Sequence, residues 1–206
     1  VDTRSVRLKL FATLYDPVMR GLERKVLAGL RRQVVSQSRG VVVEIGAGTG
    51  ANLPFYPGVL ESLLLTEPDH AMFERLAHKL PMGVLAERAP AETLPVADGS
   101  VDTVVSTLAL CTVDDPSATL AEFRRVLRPQ GRLLFIEHVR SADPGFARWQ
   151  DRLEGAWGFC AAGCHPNRDT LTTIADAGFT TDQLSHRALR GGLLVRDVVW
   201  GSAVTP

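Results

Sequence analysis

An acid stands two residues ahead of three alternating glycines in Glu44-Ile45-Gly46-Ala47-Gly48-Thr49-Gly50, and a second acid, Glu67, follows 21 residues after Gly46. Such a constellation suits a nucleotide-like ligand. Glycines without a Cβ permit a tight turn and let backbone N–H groups approach the ligand closely. A helix expected directly after them adds the partial positive charge of its N-terminus. Gly46, Gly48 and Ala51 also satisfy the relaxed dinucleotide fingerprint, which is weak evidence alone. Glu44 weighs against that reading, because a carboxylate in the turn repels a pyrophosphate and attracts a cationic group. Glu67 ends an apolar run, where an α/β nucleotide site places an acid that accepts hydrogen bonds from ribose hydroxyls. The bland alternatives are a strand-end acid bonded to local backbone at Glu44 and a plain surface acid at Glu67.

The elements that must carry these residues follow from pattern. Val41 to Ile45 is apolar on successive positions, as in a strand buried on both faces. Ala51 to Pro57 should be a short helix ended by Pro54 and Pro57, and Leu60 to Thr66 a second strand. Pro68-Asp69 starts a helix with Met72, Phe73, Leu76 and Leu80 on its apolar face, and Gly83 to Glu87 and Val101 to Ser106 read as further strands. Asp115-Pro116 caps a helix with Leu120, Phe123 and Leu127 inward, broken by Arg128-Pro129-Gln130-Gly131 before a strand at Arg132 to Val139. Alternating strands and helices over residues 41–139 define an α/β doubly wound sheet, whose ligands bind at the carboxyl ends of the strands. Phe179 to Arg187 and Leu193 to Val204 are extended, with Arg190-Gly191-Gly192 as a hairpin turn between them.

The chain has 206 residues, 45% hydrophobic and 22% charged, which fits a single domain over 1–206. No apolar run approaches the ~18 residues of a membrane span and no signal-peptide pattern is present, so a cytoplasmic protein is expected. Zero net charge conceals an asymmetry: residues 1–39 carry nine basic against three acidic side chains, a net of +6. Met19, Leu22, Val26, Leu30 and Val34 fall at helical spacing there, with the basic residues mostly on other faces. This arm is either a helix laid on the sheet with a solvated basic side or a peripheral contact with anionic lipid. It lacks interleaved aromatics, so nucleic acid is not an expected partner. Three cysteines, Cys111, Cys160 and Cys164, do not make a disulfide framework. Cys160, Cys164 and His165 lack the fourth ligand and spacing of a zinc finger, so no metal is expected.

Together, Glu44 to Gly50, Glu67, Ala91-Glu92-x-Leu94-Pro95, Asp98-Gly99-Ser100-Val101-Asp102 and Leu127-Arg128-Pro129-Gln130-Gly131-Arg132-Leu133 resemble the class I S-adenosylmethionine (SAM)-dependent methyltransferases. Gly50-Ala51-Asn52, Leu108-Ala109-Leu110-Cys111, Arg124 to Pro129, Ile136-Glu137-His138-Val139 and Gly163-Cys164 are similar to the methyltransferase-like alkyl thiol methyltransferases. Ubiquinone/menaquinone C-methyltransferases and phosphatidylethanolamine methyltransferases are related comparisons. The resemblance implies a Rossmann-like seven-stranded sheet, mostly parallel with an antiparallel C-terminal hairpin, in four parts: a basic helical arm at 1–39, a SAM-binding core at 40–140, substrate-covering helices at 141–178 and the hairpin at 179–206. It implies that Gly46, Ala47, Gly48 and Gly50 with Asn52 admit the cofactor, that Glu44 orients its cationic end and that Glu67 holds the ribose. Pro68, Ala91 and Glu92 then border the adenine, Thr107 and Leu108 the methionine portion, and Tyr15 resembles an aromatic lid. Ala89-Pro90 departs from the Gly-Asp of many relatives, leaving adenine recognition to the Ala91 backbone and packing.

Methyl transfer from an activated sulfonium mainly needs an acceptor held in line behind the methyl group. The acceptor is expected to be a small lipophilic molecule, first a thiol, alternatively a quinone precursor or phospholipid amine. A thiol must also lose a proton, for which His138 is the first candidate base and His165 and Asp98 weaker ones. Trp149, Leu153, Trp157 and Cys160 recur at near-helical spacing and either pack the core or line the acceptor pocket with Cys111 and His165. A nicotinamide-dependent reductase and a non-catalytic SAM-binding protein are the rival classes. Glu44, the final hairpin and the lack of a Tyr-x-x-x-Lys pair argue against the former.

Overall fold

The first helical segment shows why the arm is built as it is. A computed structural model describes residues 3–189 and 193–205, with side chains from Lys9 onward, so the predicted turn at Arg190-Gly191-Gly192 lies outside the described residues. Helix α1 (Thr3–Leu22) runs through a π turn (Glu23–Leu27) into α2 (Ala28–Val35) without a break. The Ala28 N–H bonds back to the Glu23 carbonyl, the wider spacing of a π turn. Leu27, Leu30, Val34 and Val35 are buried against one sheet face. Arg31 is buried with them, so one member of the expected basic face points inward instead.

The sheet holds strands β1 (Val41–Ile45), β2 (Ser62–Thr66), β3 (Leu85–Glu87), β4 (Val101–Thr107), β5 (Leu127–His138), β6 (Thr180–Ala188) and β7 (Asp197–Val204). Their order is β3-β2-β1-β4-β5-β7-β6. β1 to β5 pair in parallel, and β7 lies antiparallel between β5 and β6. This is the expected seven-stranded α/β sheet with an antiparallel end. Arg128 to Gly131, expected to separate helix from strand, is instead taken up as an irregularity inside β5, between the Val101–Leu127 and Thr103–Arg132 pairs.

Helices α3 (His70–Ala77), α4 (Pro116–Val126), α5 (Pro144–Cys160) and α6 (Thr170–Asp176) complete the two faces. Asp69, Asp115, Asp143 and Asp169 each accept a hydrogen bond from a first-turn N–H, satisfying donors that a helix leaves free. One apolar cluster joins Leu120, Phe123 and Ile174 to Val104, Leu133 and Phe135, and the other joins Leu27, Leu30 and Leu76 to Val105, Leu134 and Ile136. α5 is anchored by buried Gln150, whose amide donates to the carbonyls of Val139, Pro166 and Leu194 and whose oxygen accepts from the Ser141 N–H.

The order reverses beside β1, which has β2 on one side and β4 on the other. The ends of β1, β2, β4 and β5 therefore meet along one edge, which is where Gly46, Glu67, Leu108 and His138 stand. A parallel sheet places its ligand crevice at that point.

Candidate active site

The turn after β1 differs from the sequence expectation in one respect. No α-helix follows the glycines; a succession of turns leads into a 3-10 turn, Leu53–Phe55. Within it the Ala47, Gly48 and Gly50 N–H groups donate to the Thr66 carbonyl, the Glu67 carboxylate and the Ala47 carbonyl. Gly46 has φ +56 and a Cβ there would stand 2.8 Å from the Ala109 Cβ, so glycine lets the β1 and β4 ends close on one another. Gly48 has φ +57 and its missing Cβ points where the nearest atom is 4.0 Å away, leaving room beside the turn.

Glu67 sits under that room. Its Oε2 accepts from the Gly48 N–H at 2.8 Å and its Oε1 from the Asp69 N–H at 2.8 Å. A carboxylate has about four acceptor positions, so each oxygen retains capacity for a ribose hydroxyl. Burial raises the Glu67 pKa to about 7 against the lowering effect of those two N–H groups. Glu67 is 6% exposed, so it is not the plain surface acid of the bland alternative.

Glu44 is placed differently from the expectation. It is 2% exposed, and its oxygens accept from Asn52 Nδ2 at 2.8 Å and from the Tyr56 hydroxyl at 2.6 Å. Arg31 Nη1 donates to Asn52 Oδ1 at 2.7 Å and to Thr107 Oγ1 at 2.9 Å, while its Nε donates to Glu23 Oε1 at 2.9 Å. Asn52 Nδ2 also donates to Thr107 Oγ1 at 2.8 Å. Glu44 is thus enclosed, and its two hydrogen bonds fix Asn52 and Tyr56 beside the crevice. Burial raises its pKa against these hydrogen bonds and the Arg31 charge.

Arg31 was missed in the sequence because the arm is rich in basic residues. The available signal was its position: with Leu27, Leu30 and Val34 it falls on the apolar face at helical spacing. The π turn matters here, since fewer degrees of winding per residue bring Glu23 round to the same side as Arg31.

Across the crevice, Leu108 has φ +59, a conformation uncommon for a branched side chain and concentrated at functional turns. The loop it opens is held by buried Glu137. Its Oε1 accepts from the Ser106 hydroxyl and the Ala109 and Leu110 N–H groups, and its Oε2 from the Cys111 N–H. Nothing in the spacing of Glu137 alone announced this positioning role. Beyond β3, Ala89 and Ala91 are buried and Glu92 accepts from the Asp115 N–H at 3.3 Å, while Pro68 after β2 is exposed.

α1 crosses the glycine turn as a strap. Asp16 accepts from the Thr49 hydroxyl at 2.6 Å and pairs with Lys79 at 3.0 Å, and Arg75 donates to the Thr13 hydroxyl at 2.9 Å. An open cavity of about 210 Å3 between strap and turn is lined by Tyr15, Asp16, Met19, Thr49 and Ala51, among others. Tyr15 stacks at a tilt on Phe11, and burial raises its phenol pKa against the Arg31 charge.

The residues expected around the acceptor divide. Cys111 and His138 come together, joined by Cys164, with Cys111 Sγ 3.7 Å and Cys164 Sγ 3.8 Å from His138 Nδ1. Trp157 lies beside Cys164, its buried indole N–H directed toward that sulfur. Trp149 is 57% exposed and Cys160 is exposed, so neither lines a pocket; both stand on the outer side of α5. His165 Nδ1 pairs with Glu154, and Asp98 is exposed and paired with Arg125. His138 Nδ1 faces the two sulfurs, and Nε2 is buried without a partner. Cys160 and Cys164, which the sequence spacing set aside as metal ligands with His165, stand in different surroundings, Cys160 exposed and Cys164 buried.

Residues 43–135 match the family model described as a methyltransferase domain. Human thiol S-methyltransferase TMT1A is 33% identical over 94% of this chain and 82% of its own length, and human TMT1B is 35% identical over 82% and 72%. The chain belongs to the SAM-dependent methyltransferases. A demethylmenaquinone methyltransferase from Renibacterium salmoninarum is 28% identical over 74% of this chain and 71% of its own. In fold, a SAM-dependent methyltransferase from Thermotoga maritima superposes with a TM-score of 0.72 at 22% identity, covering 97% of this chain and 99% of that one. The [4+2]-cyclase SpnF superposes with a TM-score of 0.69 at 17% identity, over 87% of this chain and 80% of that one.

Glu67 makes a sign-specific prediction for this methyltransferase. Ribose hydroxyls donate to the ionised carboxylate, so S-adenosylhomocysteine affinity should fall about tenfold per pH unit below about 7. The free protein should shift oppositely: a carboxyl pKa raised by folding contributes stability at low pH that is lost between the unfolded value and about 7. Calorimetric titration across this range checks the first effect, and Glu67→Gln should flatten it. A wild-type affinity independent of pH would remove the ribose assignment.

Proposed function

We propose that this methyltransferase transfers the methyl group of SAM to the sulfur of a small lipophilic thiol. The observation that supports it most is the likeness to thiol S-methyltransferases along nearly the whole chain, arm and α5 included, rather than in the cofactor half alone. The cofactor lies, in this reading, between the glycine turn and the Leu108 loop, with its ribose on Glu67 and its adenine between Pro68 and Ala91. Thr107 and Asn52, held by Arg31, border the methionine portion.

The chemistry needs few protein groups. Bound SAM would supply an electrophilic methyl group: the acceptor thiolate would bond to its carbon as the carbon–sulfonium bond breaks, the electron pair passing to S-adenosylhomocysteine. The thiol proton passes to solvent or to a base. Holding the two sulfurs in line supplies up to roughly 7–11 kcal/mol of the barrier, and closing the α1 strap excludes water that would otherwise solvate the thiolate. His138 is not assigned the base role, because its Nδ1 is directed to Cys111 and Cys164.

Turnover with methyl-labelled SAM against an alkyl thiol, a demethylated quinol and phosphatidylethanolamine tests the acceptor class. Label is expected on sulfur, with one S-adenosylhomocysteine formed per thioether. Transfer to the quinol carbon or the lipid amine, with none to the thiol, would overturn the thiol reading in favour of a neighbouring acceptor class. A folded protein that binds SAM but methylates none of the three would contradict it as well.

A lipophilic acceptor has to arrive from somewhere, and α1 offers a route. Leu10, Leu14 and Val18 fall on one stripe and are 58%, 48% and 73% exposed. Lys9, Arg20 and Arg24 lie on the same segment. We propose that this face lies on anionic lipid, the apolar stripe rather than the basic side making the deeper contact. No helix among the described residues is long and apolar enough to cross a membrane. Leu14→Glu should reduce co-sedimentation with anionic vesicles, and Leu14→Ala should do so less. Equal sedimentation of both variants and wild type would sink the idea.

A further inference from the structure

Three soft donors from three separate elements converge behind the loop that follows β4. Cys111 Sγ and Cys164 Sγ lie 3.7 and 3.8 Å from His138 Nδ1, and the two sulfurs are 3.8 Å apart. All three side chains are buried, and the donor atoms are close enough to serve one ion. A zinc ion at ~2.3 Å from sulfur and ~2.0–2.1 Å from nitrogen sets its donors roughly 3.8–4.0 Å apart for S···S and roughly 3.5–3.8 Å for S···N, between tetrahedral and trigonal geometry. The observed separations fall at that spacing before any atom moves.

We propose that Cys111, His138 and Cys164 form a binding site for a thiophilic divalent cation, zinc first. The frame around the donors is rigid. The Cys111 N–H donates to Glu137 Oε2 at 3.2 Å, and its carbonyl accepts from the His165 N–H at 2.7 Å, so the two cysteine-bearing loops are tied directly to each other. His138 ends β5 and is paired with Val198 of β7. Arg168 donates to the Leu110 carbonyl at 2.7 Å and places a positive charge beside both sulfurs. Exposed Cys160 takes no part.

Soft thiolates with one imidazole select zinc or copper(I) over magnesium, calcium or manganese. Binding one zinc ion converts two thiols into thiolates and releases two protons to solvent. Three protein donors leave a fourth position, the pattern of sites that exchange a ligand rather than of closed structural sites. That position takes water or, resting on the thiol reading above, the acceptor thiolate.

Chelator-treated, reduced full-length protein titrated anaerobically with cobalt(II) tests the site without reference to turnover. One equivalent is expected to produce a thiolate-to-cobalt charge-transfer band, which zinc then bleaches. Cys111→Ser and Cys164→Ser should lose the band, while Cys160→Ser keeps it. Should a serine variant fail to fold, wild-type calorimetry in buffers of different ionisation enthalpy gives a second reading, with two protons expected per zinc. No saturable binding at one equivalent, or a band that survives in folded Cys164→Ser, would overturn the proposal, and it would leave the thiol methyltransferase reading standing.

Discussion

The site depends on one buried guanidinium. Arg31 is taken out of water on the inner face of α2, a placement tolerable only because Glu23, Asn52 and Thr107 accept its hydrogen bonds and the Glu44 carboxylate stands within electrostatic reach. Removing one partner of such a group leaves an uncompensated buried charge, at a cost of about 3–5 kcal/mol. The partners come from the π turn, the segment after the glycines and the end of β4. Their mutual positions are therefore set by one side chain, and the crevice takes its shape from that agreement.

That arrangement explains how an apparently peripheral arm becomes part of the site. α2 is fixed to the sheet through its apolar face and Arg31, while α1 reaches over the glycine turn by way of Asp16, Thr13 and Tyr15. The α1 contacts are the weaker set. They are exposed or half-exposed pairs, each contributing about 0.2–1 kcal/mol, so α1 is held less firmly than α2. Fold alone does not select methyl transfer, since a [4+2]-cyclase shares this architecture. What distinguishes a chain of this fold is what closes over its crevice and which side chains face the reacting atoms.

Much of the frame was legible in the sequence because local rules dominate there. Val41 to Ile45 reads as buried strand, Asp69 and Asp115 as caps, and the three glycines as a tight turn, all from physics confined to a few residues. Three features were not legible. Arg31 hid among other basic residues because its fate depends on tertiary partners 21 and 76 positions away. Glu44 looked like a ligand-facing charge, yet Tyr56 and Asn52 reach back to enclose it. Cys111, His138 and Cys164 lie far apart along the chain, and only the meeting of the β4 loop, the β5 end and the turn after α5 joins them. Trp149 and Cys160 failed for the opposite reason: helical spacing gives a shared face but does not say which face the sheet covers.

Calorimetric titration of S-adenosylhomocysteine into wild type, Arg31→Met and the charge-balanced pair Arg31→Met with Glu44→Gln tests the central role of Arg31 most directly. The paired variant keeps the interior neutral and so guards against simple unfolding. Affinity is expected to fall about tenfold or more in both folded variants, equivalent to about 1.4 kcal/mol, because Asn52 and Thr107 lose the donor that aims them. Wild-type affinity in the folded pair would contradict this, and would reduce Arg31 to a device for packing α2 against the sheet.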